Sequence, residues 1–287
     1  MRTCNHFGIT VTHIKPNEWK GNLQKIFEMQ NFIRDKNDSD ILIFADAYDC
    51  LALSDINEAV NKFTSMNCDL LCSAELNCHP FKQFASRFEN IPRSSKSRHI
   101  YPNTGLYMGR VSAIRHYCNS ITRQQLIKDY TFNNGRYSTD QGRFHVYYLA
   151  RYGAKASEGA EGEVGSTKAS EMEEKVGRWA ERLLKKEGKD EGLNIKLDHD
   201  CEIFQNMHKA PWKDFSFESG KLRNNALNST PSFIHFSGNS DRIHNREDRV
   251  LTDLSDRIIF FNQNTHEKGP LTYNKAFHKE DEINQRK

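Results

Sequence analysis

The sequence predicts an α/β fold with a mainly parallel sheet flanked by helices. Two kinds of segment alternate along the N-terminal part of the 287-residue chain. Apolar residues recur at helical spacing in residues 22–35, and the largely apolar segments at residues 41–46 and 69–75 have the pattern of buried strands. Helices that alternate with buried strands are typical of a sheet whose strands run mainly in parallel.

Further segments extend this pattern along the chain. Residues 8–14 alternate like a short strand, and Ser54 opens another helix. Residues 139–152 have the pattern of a helix, residues 215–226 that of a strand pair, and residues 232–239 that of a buried strand. The whole pattern therefore predicts one α/β domain.

A change of composition interrupts this domain at residues 153–192, which are rich in Gly, Ala, Glu and Lys. Ser170 and Glu173 fit a capping box at the start of an amphipathic helix. This inserted helical loop is either a partner-docking element or a solvated decoration. We predict a single domain over residues 1–261 and a polar, disordered tail over residues 262–287.

Composition excludes some classes of function. The chain has 41 basic and 38 acidic residues and a net charge of +3, and its basic residues are scattered, which argues against nucleic-acid binding. No apolar run reaches the roughly 18 residues of a membrane span. The N-terminus lacks the continuous apolar segment of a secretory signal, so the sequence does not indicate a compartment. It does not indicate an oligomeric state either. Seven cysteines without a C-x-x-C pair indicate neither a zinc knuckle nor a closed disulfide framework.

Two aspartates follow the apolar run in the segment ILIFADAYDC. Carboxylates are costly to bury unless a positive charge neutralises them. Asp46 and Asp49 are three residues apart in a turn, and both can face one hard divalent ion such as Mg²⁺ or Mn²⁺. Ligands of α/β sheets bind beyond the carboxyl ends of strands, where Glu75 also falls. The alternative is an ordinary polar loop.

Two other segments contain groups suited to such a site. LDHDC places His199 between Asp198 and Asp200, and a histidine ligand would shift the preference from Mg²⁺ toward Mn²⁺. IHFSGNS runs from His235 into small residues whose backbone N–H groups can hold a pyrophosphate. The alternatives are a polar surface turn for the first segment and an ordinary glycine turn for the second.

Six short motifs resemble, in order, the glycosyltransferase domain of the collagen lysyl hydroxylases (procollagen-lysine dioxygenases). They are DAYD, CSAELNCHP, YPNTGLYMG, STDQ, LDHDCEIFQNM and IHFSGNS. The resemblance covers about residues 1–152 and 193–245. It implies a GT-A type, Rossmann-like fold and a glycosyltransferase that uses a UDP-sugar and Mn²⁺. Relatives of this kind work in the lumen of the endoplasmic reticulum.

The resemblance also implies roles for individual residues. The implied metal ligands are Asp46, Asp49 and His199. The implied donor contacts are Tyr48, which would stack on the uracil, Lys25, Gly238 and Asn239. The implied catalytic positions, on the sugar and acceptor side, are Glu75, Asn103 and Asp140. These roles agree with general chemistry, because a metal ion neutralises a leaving diphosphate and preorganised donors stabilise its charge.

The sequence departs from the family pattern at several points. His79 stands where the family has a tryptophan, and Thr139 replaces one acid of the stretch before Gln141. Asp241 and Arg242 stand where a lysine is expected. The first strand of the family would precede the start of this chain, so we expect an N-terminally truncated domain.

Three hypotheses follow. The first is a glycosyltransferase that moves glucose or galactose from its UDP-sugar to a hydroxylysine-type acceptor in a collagen-like polypeptide. The second is a catalytically impaired nucleotide-sugar-binding or scaffold module on the same fold, which would bind UDP without turnover. The third, a two-metal nuclease built on Asp46, Asp49 and Asp198, is disfavoured because no basic groove is visible in the sequence.

Overall fold

The computed structural model describes residues 2–47, 49–122, 139–153, 192–218 and 221–237. The predicted inserted helix, the predicted tail and three predicted donor contacts, Tyr48, Gly238 and Asn239, lie outside these residues. The helices are α1 (Arg2–His6), α2 (Gln24–Phe32), α3 (Ile56–Ser65), α4 (Ala85–Glu89), α5 (Val111–Thr122) and α6 (Asp140–Tyr152). The strands are β1 (Ile41–Ala45), β2 (Cys50–Ala52), β3 (Leu70–Glu75), β4 (Tyr101–Arg110), β5 (Ile195–Asp198), β6 (Phe204–Asn206), β7 (Phe215–Glu218), β8 (Lys221–Asn224) and β9 (Phe233–His235).

A four-stranded sheet in the order β1-β4-β3-β5 forms the centre of the fold. Strand β3 is parallel to β5, whereas β4 is antiparallel to both β1 and β3. The described strands thus form a mixed sheet and not the mainly parallel one that the sequence predicts, because β4 enters between β1 and β3 in the reverse direction. Strands β1, β3 and β5 still share one direction, so their carboxyl ends lie at one edge of the sheet.

A second sheet and a hairpin complete the described strands. In the three-stranded sheet β2-β9-β6, β9 is antiparallel to β2 and parallel to β6. Strands β7 and β8 form the antiparallel pair that the sequence predicts. The second sheet matters for the site because it brings the end of β9 against the middle of β4.

Hydrophobic layers cover both faces of the central sheet. Side chains alternate along a strand, so neighbouring residues of β4 contribute to different layers. Tyr107 packs in the cluster that contains the buried residues of α2, α5 and α6, whereas Leu106 and Met108 pack with α3 and with Phe204 and Phe233 of the second sheet. The central sheet is therefore packed between two hydrophobic clusters, and a third cluster of described residues includes Leu51, Phe215 and Ile234.

Local predictions have different outcomes. The predicted helices at residues 22–35 and 139–152 are confirmed as α2 and α6. The predicted strand at residues 8–14 is wrong: these residues pair with no strand of the described chain, and Val11 and Ile14 are exposed. Strand β1 is only partly buried because it lies at the edge of the described sheet. Among the described residues, no helix is both long enough and apolar enough to cross a membrane.

Candidate active site

The two aspartates are fixed by backbone contacts that join the two sheets. Asp46 follows β1, and its backbone N–H donates to the carbonyl of Gly105 on β4 at 2.9 Å. Asp49 precedes β2, and its carbonyl accepts a hydrogen bond from the backbone N–H of Phe236 at 2.8 Å. The segment between β1 and β2 is therefore held from both sides, which places both carboxylates at the carboxyl end of β1.

Lys25, at the start of α2, lies between two carboxylates. Its Nζ is 2.7 Å from Asp46 Oδ1 and 3.6 Å from Asp140 Oδ2. Burial opposes the charge of the ammonium, but Asp140 and Asp46 outweigh burial and raise the pKa of Lys25. For Asp46, burial outweighs the attraction of Lys25 and His235 and raises its pKa. The ion pair therefore keeps Lys25 charged without fully compensating the desolvation of Asp46.

His235, the last residue of β9, points at both aspartates. Its Nε2 lies 3.3 Å from Asp49 Oδ2 and 3.9 Å from Asp46 Oδ2, and the side chain is only 3% exposed. Burial opposes the ionisation of Asp49, but the hydrogen bond and charge of His235 outweigh burial and lower the pKa of Asp49. His235 thus faces the two carboxylates that the sequence predicts as metal ligands.

The tautomer of His235 follows from its other ring nitrogen. Nδ1 lies 3.0 Å from Asn103 Oδ1 and 3.3 Å from Asn206 Nδ2. Asn103 Oδ1 already accepts the backbone N–H of Gly105, while Asn103 Nδ2 donates to Glu75, so the orientation of the amide is fixed. The shorter contact joins Nδ1 to an oxygen that can only accept, which assigns the proton to Nδ1. The lone pair of a neutral His235 is then on Nε2.

This arrangement creates a demand for positive charge. A lone pair on Nε2 would face the oxygens of Asp49 and Asp46 with no donor between them. A metal ion at that point would satisfy the imidazole nitrogen and both carboxylates at once. Two carboxylates and one imidazole nitrogen are also an ordinary ligand set for a divalent ion.

Gly105 makes the close approach of His235 possible. A Cβ atom built on Gly105 would lie 2.0 Å from Cε1 of His235, far inside van der Waals contact. The missing side chain therefore allows the imidazole to lie against the backbone of β4. In the segment Asn-Thr-Gly, the asparagine orients the imidazole and the glycine makes room for it.

The three predicted catalytic residues lie together beside this group. Glu75 Oε1 accepts hydrogen bonds from Asn103 Nδ2 at 3.2 Å and from Gln141 Nε2 at 2.7 Å. Asp140 Oδ2 accepts a hydrogen bond from Thr104 Oγ1 at 2.8 Å. Burial of Glu75 outweighs its hydrogen bonds and raises its pKa to about 7. Asn103 thus contacts His235 directly, Asp140 contacts Lys25 directly, and Glu75 is linked to His235 through Asn103.

Asp140 is the first residue of α6, and its position depends on the helix cap. Thr139 Oγ1 accepts the backbone N–H of Gly142 at 3.0 Å and so caps the helix. An N-cap threonine satisfies a backbone donor that would otherwise lack a partner. Thr139 stands where the family pattern has an acid, and its side chain caps the helix that carries Asp140 and Gln141.

His199 lies elsewhere. It follows β5, which is separated from β1 by β4 and β3 in the sheet. Its Nδ1 is 2.7 Å from the carbonyl of His99, and burial lowers its pKa. The structure therefore does not bring His199 to the aspartates, and its role as a metal ligand stays a prediction without geometric support.

Asp198 has a structural environment. Its carboxylate accepts the backbone N–H groups of Glu202, Ile203 and Phe204 at 2.7–2.9 Å. Burial nevertheless outweighs these hydrogen bonds and raises the pKa of Asp198 to about 6. These contacts hold the turn between β5 and β6, and they give no support to a nuclease site that includes Asp198.

Sequence reasoning missed several members of the cluster. The sequence predicts a pyrophosphate-binding turn after His235 but no role for its side chain, whereas the pairing of β2 with β9 places His235 opposite Cys50, next to Asp49. Cys50 Sγ lies 4.0 Å from Asp49 Oδ1, and burial raises the pKa of its thiol. Gln141 stands in the STDQ motif, but its hydrogen bond to Glu75 depends on a contact that no local pattern reveals.

Comparison with known proteins identifies the family. The family model described as the PLOD GT domain matches residues 1–145, which is half of the chain and includes Lys25, Asp46, Asp49 and Asp140. No curated protein matches the chain. The matched residues end within α6, so His199 and His235 lie beyond them. The chain belongs to the PLOD glycosyltransferase-domain family and is, on that ground, a glycosyltransferase-type protein.

Proposed function

We propose that this chain moves a hexose from UDP-glucose or UDP-galactose to a hydroxylysine-type acceptor in a collagen-like polypeptide, and that the transfer depends on a divalent metal ion. Membership in the PLOD GT domain family supports glycosyl transfer. The metal dependence is supported by one observation above all, the convergence of His235 Nε2 on the carboxylates of Asp49 and Asp46.

The proposed metal ligands are Asp46, Asp49 and His235. This set replaces the predicted His199 with the histidine that lies beside the aspartates. Charge supports the proposal, because the connected cluster contains four carboxyl groups, those of Asp46, Asp49, Glu75 and Asp140, while the Lys25 ammonium contacts two of them, Asp46 and Asp140. Oxygen ligands together with one imidazole favour Mn²⁺ over Mg²⁺.

The chemistry divides between the ion and the side chains. A bound Mn²⁺ supplies Lewis-acid neutralisation of the leaving diphosphate. Lys25, charged and adjacent to Asp46, is suited to bind the same phosphates. Glu75, whose pKa is about 7, is suited to hold or exchange a proton of the acceptor hydroxyl near neutral pH. Asp140, next to Lys25, is proposed to orient the sugar or the acceptor.

The first experiment is a calorimetric titration of UDP into the full chain, with Mn²⁺ and then with EDTA. His235→Gln and His199→Gln form a matched pair, because each removes one imidazole, the first beside the aspartates and the second from the turn after β5. We expect Mn²⁺-dependent UDP binding that His235→Gln weakens by about tenfold or more and that His199→Gln leaves close to the wild-type value. Equal binding in both variants would contradict the ligand set, and binding that persists in EDTA would contradict the metal dependence.

Turnover is a separate question. UDP-glucose and UDP-galactose are each supplied with a collagen-like peptide that carries hydroxylysine or galactosyl-hydroxylysine, and mass spectrometry measures the mass increase of one hexose. Transfer supports the proposed enzyme. Mn²⁺-dependent UDP binding without transfer to either peptide would contradict the proposed transferase and support the impaired nucleotide-sugar-binding module.

A further inference from the structure

A thiol lies inside the cluster of proposed metal ligands. Among the described residues, Asp49, Cys50 and His235 each offer one possible ligand atom, and these three atoms lie within 4.8 Å of one another. The proposed Mn²⁺ site uses the carboxylate and the imidazole of this group but not the sulfur. Cys50 therefore adds a soft ligand to a site that a hard ion would occupy with oxygen and nitrogen.

The position of the sulfur is determined by strand pairing. Cys50 is the first residue of β2, and it is directly opposite His235 in the antiparallel pair of β2 and β9. Residues directly opposite each other in a pair project from the same face, with Cβ atoms about 5 Å apart. The sulfur also lies 4.0 Å from Asp49 Oδ1. Strand pairing thus holds the thiol near Oδ1 and the imidazole near Oδ2 of the same carboxylate.

The distances suit a small tetrahedral ion. Zinc binds thiolate at about 2.3 Å and nitrogen or oxygen at about 2.0–2.2 Å, so neighbouring ligand atoms in a tetrahedral site are about 3.4–3.7 Å apart. His235 Nε2 is 3.3 Å from Asp49 Oδ2, and Cys50 Sγ is 4.0 Å from Asp49 Oδ1. One ligand atom from each residue lies within 4.8 Å of the others, so the three must move together by up to about 1 Å to reach tetrahedral spacing. His235 Nδ1 meets Asn103 Oδ1, the kind of outer contact that orients a histidine ligand.

We propose that Asp49, Cys50 and His235 bind Zn²⁺, and that this ion excludes the proposed active-site metal because both need Asp49 and His235. On binding, the sulfur coordinates the ion as thiolate and the thiol proton is released to solvent. A fourth position remains for water, since Asp46 is engaged by Lys25. Binding of Zn²⁺ stands on its own geometry, whereas its inhibitory consequence rests on the proposed function.

Cobalt is the probe for this site, because Co²⁺ takes the place of Zn²⁺ and a thiolate ligand gives it a charge-transfer absorption in the near ultraviolet. The full chain is titrated with Co²⁺ alone, as wild type, Cys50→Ser, Cys50→Ala and Cys4→Ser. Cys4 is the matched control because it is a half-buried free cysteine outside the group. We expect the absorption in wild type and Cys4→Ser, its loss in both Cys50 variants, and its removal by added Zn²⁺. Absence of the band in wild type, or its persistence in Cys50→Ser, would overturn the zinc site.

Inhibition is measured in the same proteins by titrating UDP into each protein in the presence of Mn²⁺ and at increasing concentrations of Zn²⁺. We expect the Zn²⁺ concentration for half-inhibition to be about 10- to 100-fold higher in Cys50→Ser than in Cys4→Ser. Equal values in the two variants would overturn the thiol-dependent inhibition. A cobalt–thiolate band without any Mn²⁺-dependent UDP binding would contradict the proposed function while it supports the zinc site, so the two failures are distinguishable.

Discussion

His235 Nδ1 lies 3.0 Å from Asn103 Oδ1, and this one contact turns Nε2 toward Asp49. The contact is itself part of a chain, because Asn103 is oriented by Glu75 and by the backbone N–H of Gly105. Asn103, which is expected on the sugar side, thus contacts Nδ1 of His235, the ring nitrogen that does not face the aspartates. Outer contacts of this kind fix both the tautomer and the direction of a histidine ligand.

Asn103→Ala is expected to weaken Mn²⁺ binding about 10- to 100-fold, because His235 loses the acceptor that fixes its tautomer. Calorimetry measures the affinity, and nitrogen–proton correlation spectra of the imidazole show which nitrogen carries the proton. Asn90→Ala is the control, since Asn90 lies at the C-terminal cap of α4, outside these contacts. An unchanged imidazole spectrum in Asn103→Ala would show that Asn103 does not set the tautomer.

Gly105→Ala tests the space that His235 occupies. A methyl group at this position would meet His235 Cε1 at 2.0 Å, so the imidazole or β4 must move. We expect a loss of stability of about 1–3 kcal/mol, as for other overpacked interiors, together with loss of Mn²⁺-dependent UDP binding. Gly153→Ala is the matched control because its nearest atom would be 3.2 Å away, at the flexible end of Leu149. Full UDP binding in Gly105→Ala would contradict the placement of His235.

The sequence was sufficient for the parts of the site that depend on local order. Asp46 and Glu75 each end a predicted apolar run, and strands that share one direction place such residues at one edge of a sheet. Strand β4 does not change this outcome, because its reversal leaves β1 and β3 pointing the same way. The carboxylate edge could therefore be predicted even though the pairing of the sheet was not.

The choice of histidine could not be made in the same way. His199 lies between two aspartates just after β5, whereas His235 ends the apolar strand β9, so the local sequence favours His199. Only the pairing of β2 with β9, across more than 180 residues of chain, places His235 and not His199 beside Asp49. A contact at such separation depends on how the sheets pack, which neither periodicity nor a short motif encodes.

Glu75→Gln is expected to change the dependence of stability on pH. The pKa of Glu75 is raised from 4.5 to about 7 by burial, so the folded chain binds more protons than the unfolded chain between these values. Stability contributed by protonated Glu75 is therefore present below about pH 4.5 and is lost as pH rises toward 7. The glutamine side chain does not titrate, so the variant does not lose stability in this way. We expect its free energy of unfolding to increase by about 2–3 kcal/mol relative to that of wild type between about pH 5 and pH 8.

Urea unfolding at a series of pH values measures this difference. Glu18→Gln is the control, because the Glu18 side chain is 75% exposed. The charges that act on Glu75, those of His235 and Lys209, are unchanged in both variants. A constant difference between Glu75→Gln and wild type across the series would contradict a raised pKa.

Lys25→Met tests whether the lysine and the metal ion compete for Asp46. Without Lys25, Asp46 and Asp140 lose the ammonium that lies 2.7 Å and 3.6 Å from them. We expect the metal-free variant to lose about 2–4 kcal/mol of stability, because one partner of a largely buried ion pair has been removed. Mn²⁺ should restore part of this loss, so its stabilising effect on the variant should exceed its effect on wild type.

Thermal unfolding with and without Mn²⁺, in the absence of UDP, measures both effects. Lys36→Met is the matched control, because Lys36 is an exposed lysine that lies over the ring of Phe32 near the end of α2 and contacts neither carboxylate. If Lys25 instead supports the metal site, Mn²⁺ will stabilise Lys25→Met less than wild type. Whether Mn²⁺ stabilises Lys25→Met more or less than wild type therefore shows whether Lys25 and the metal ion compete for Asp46.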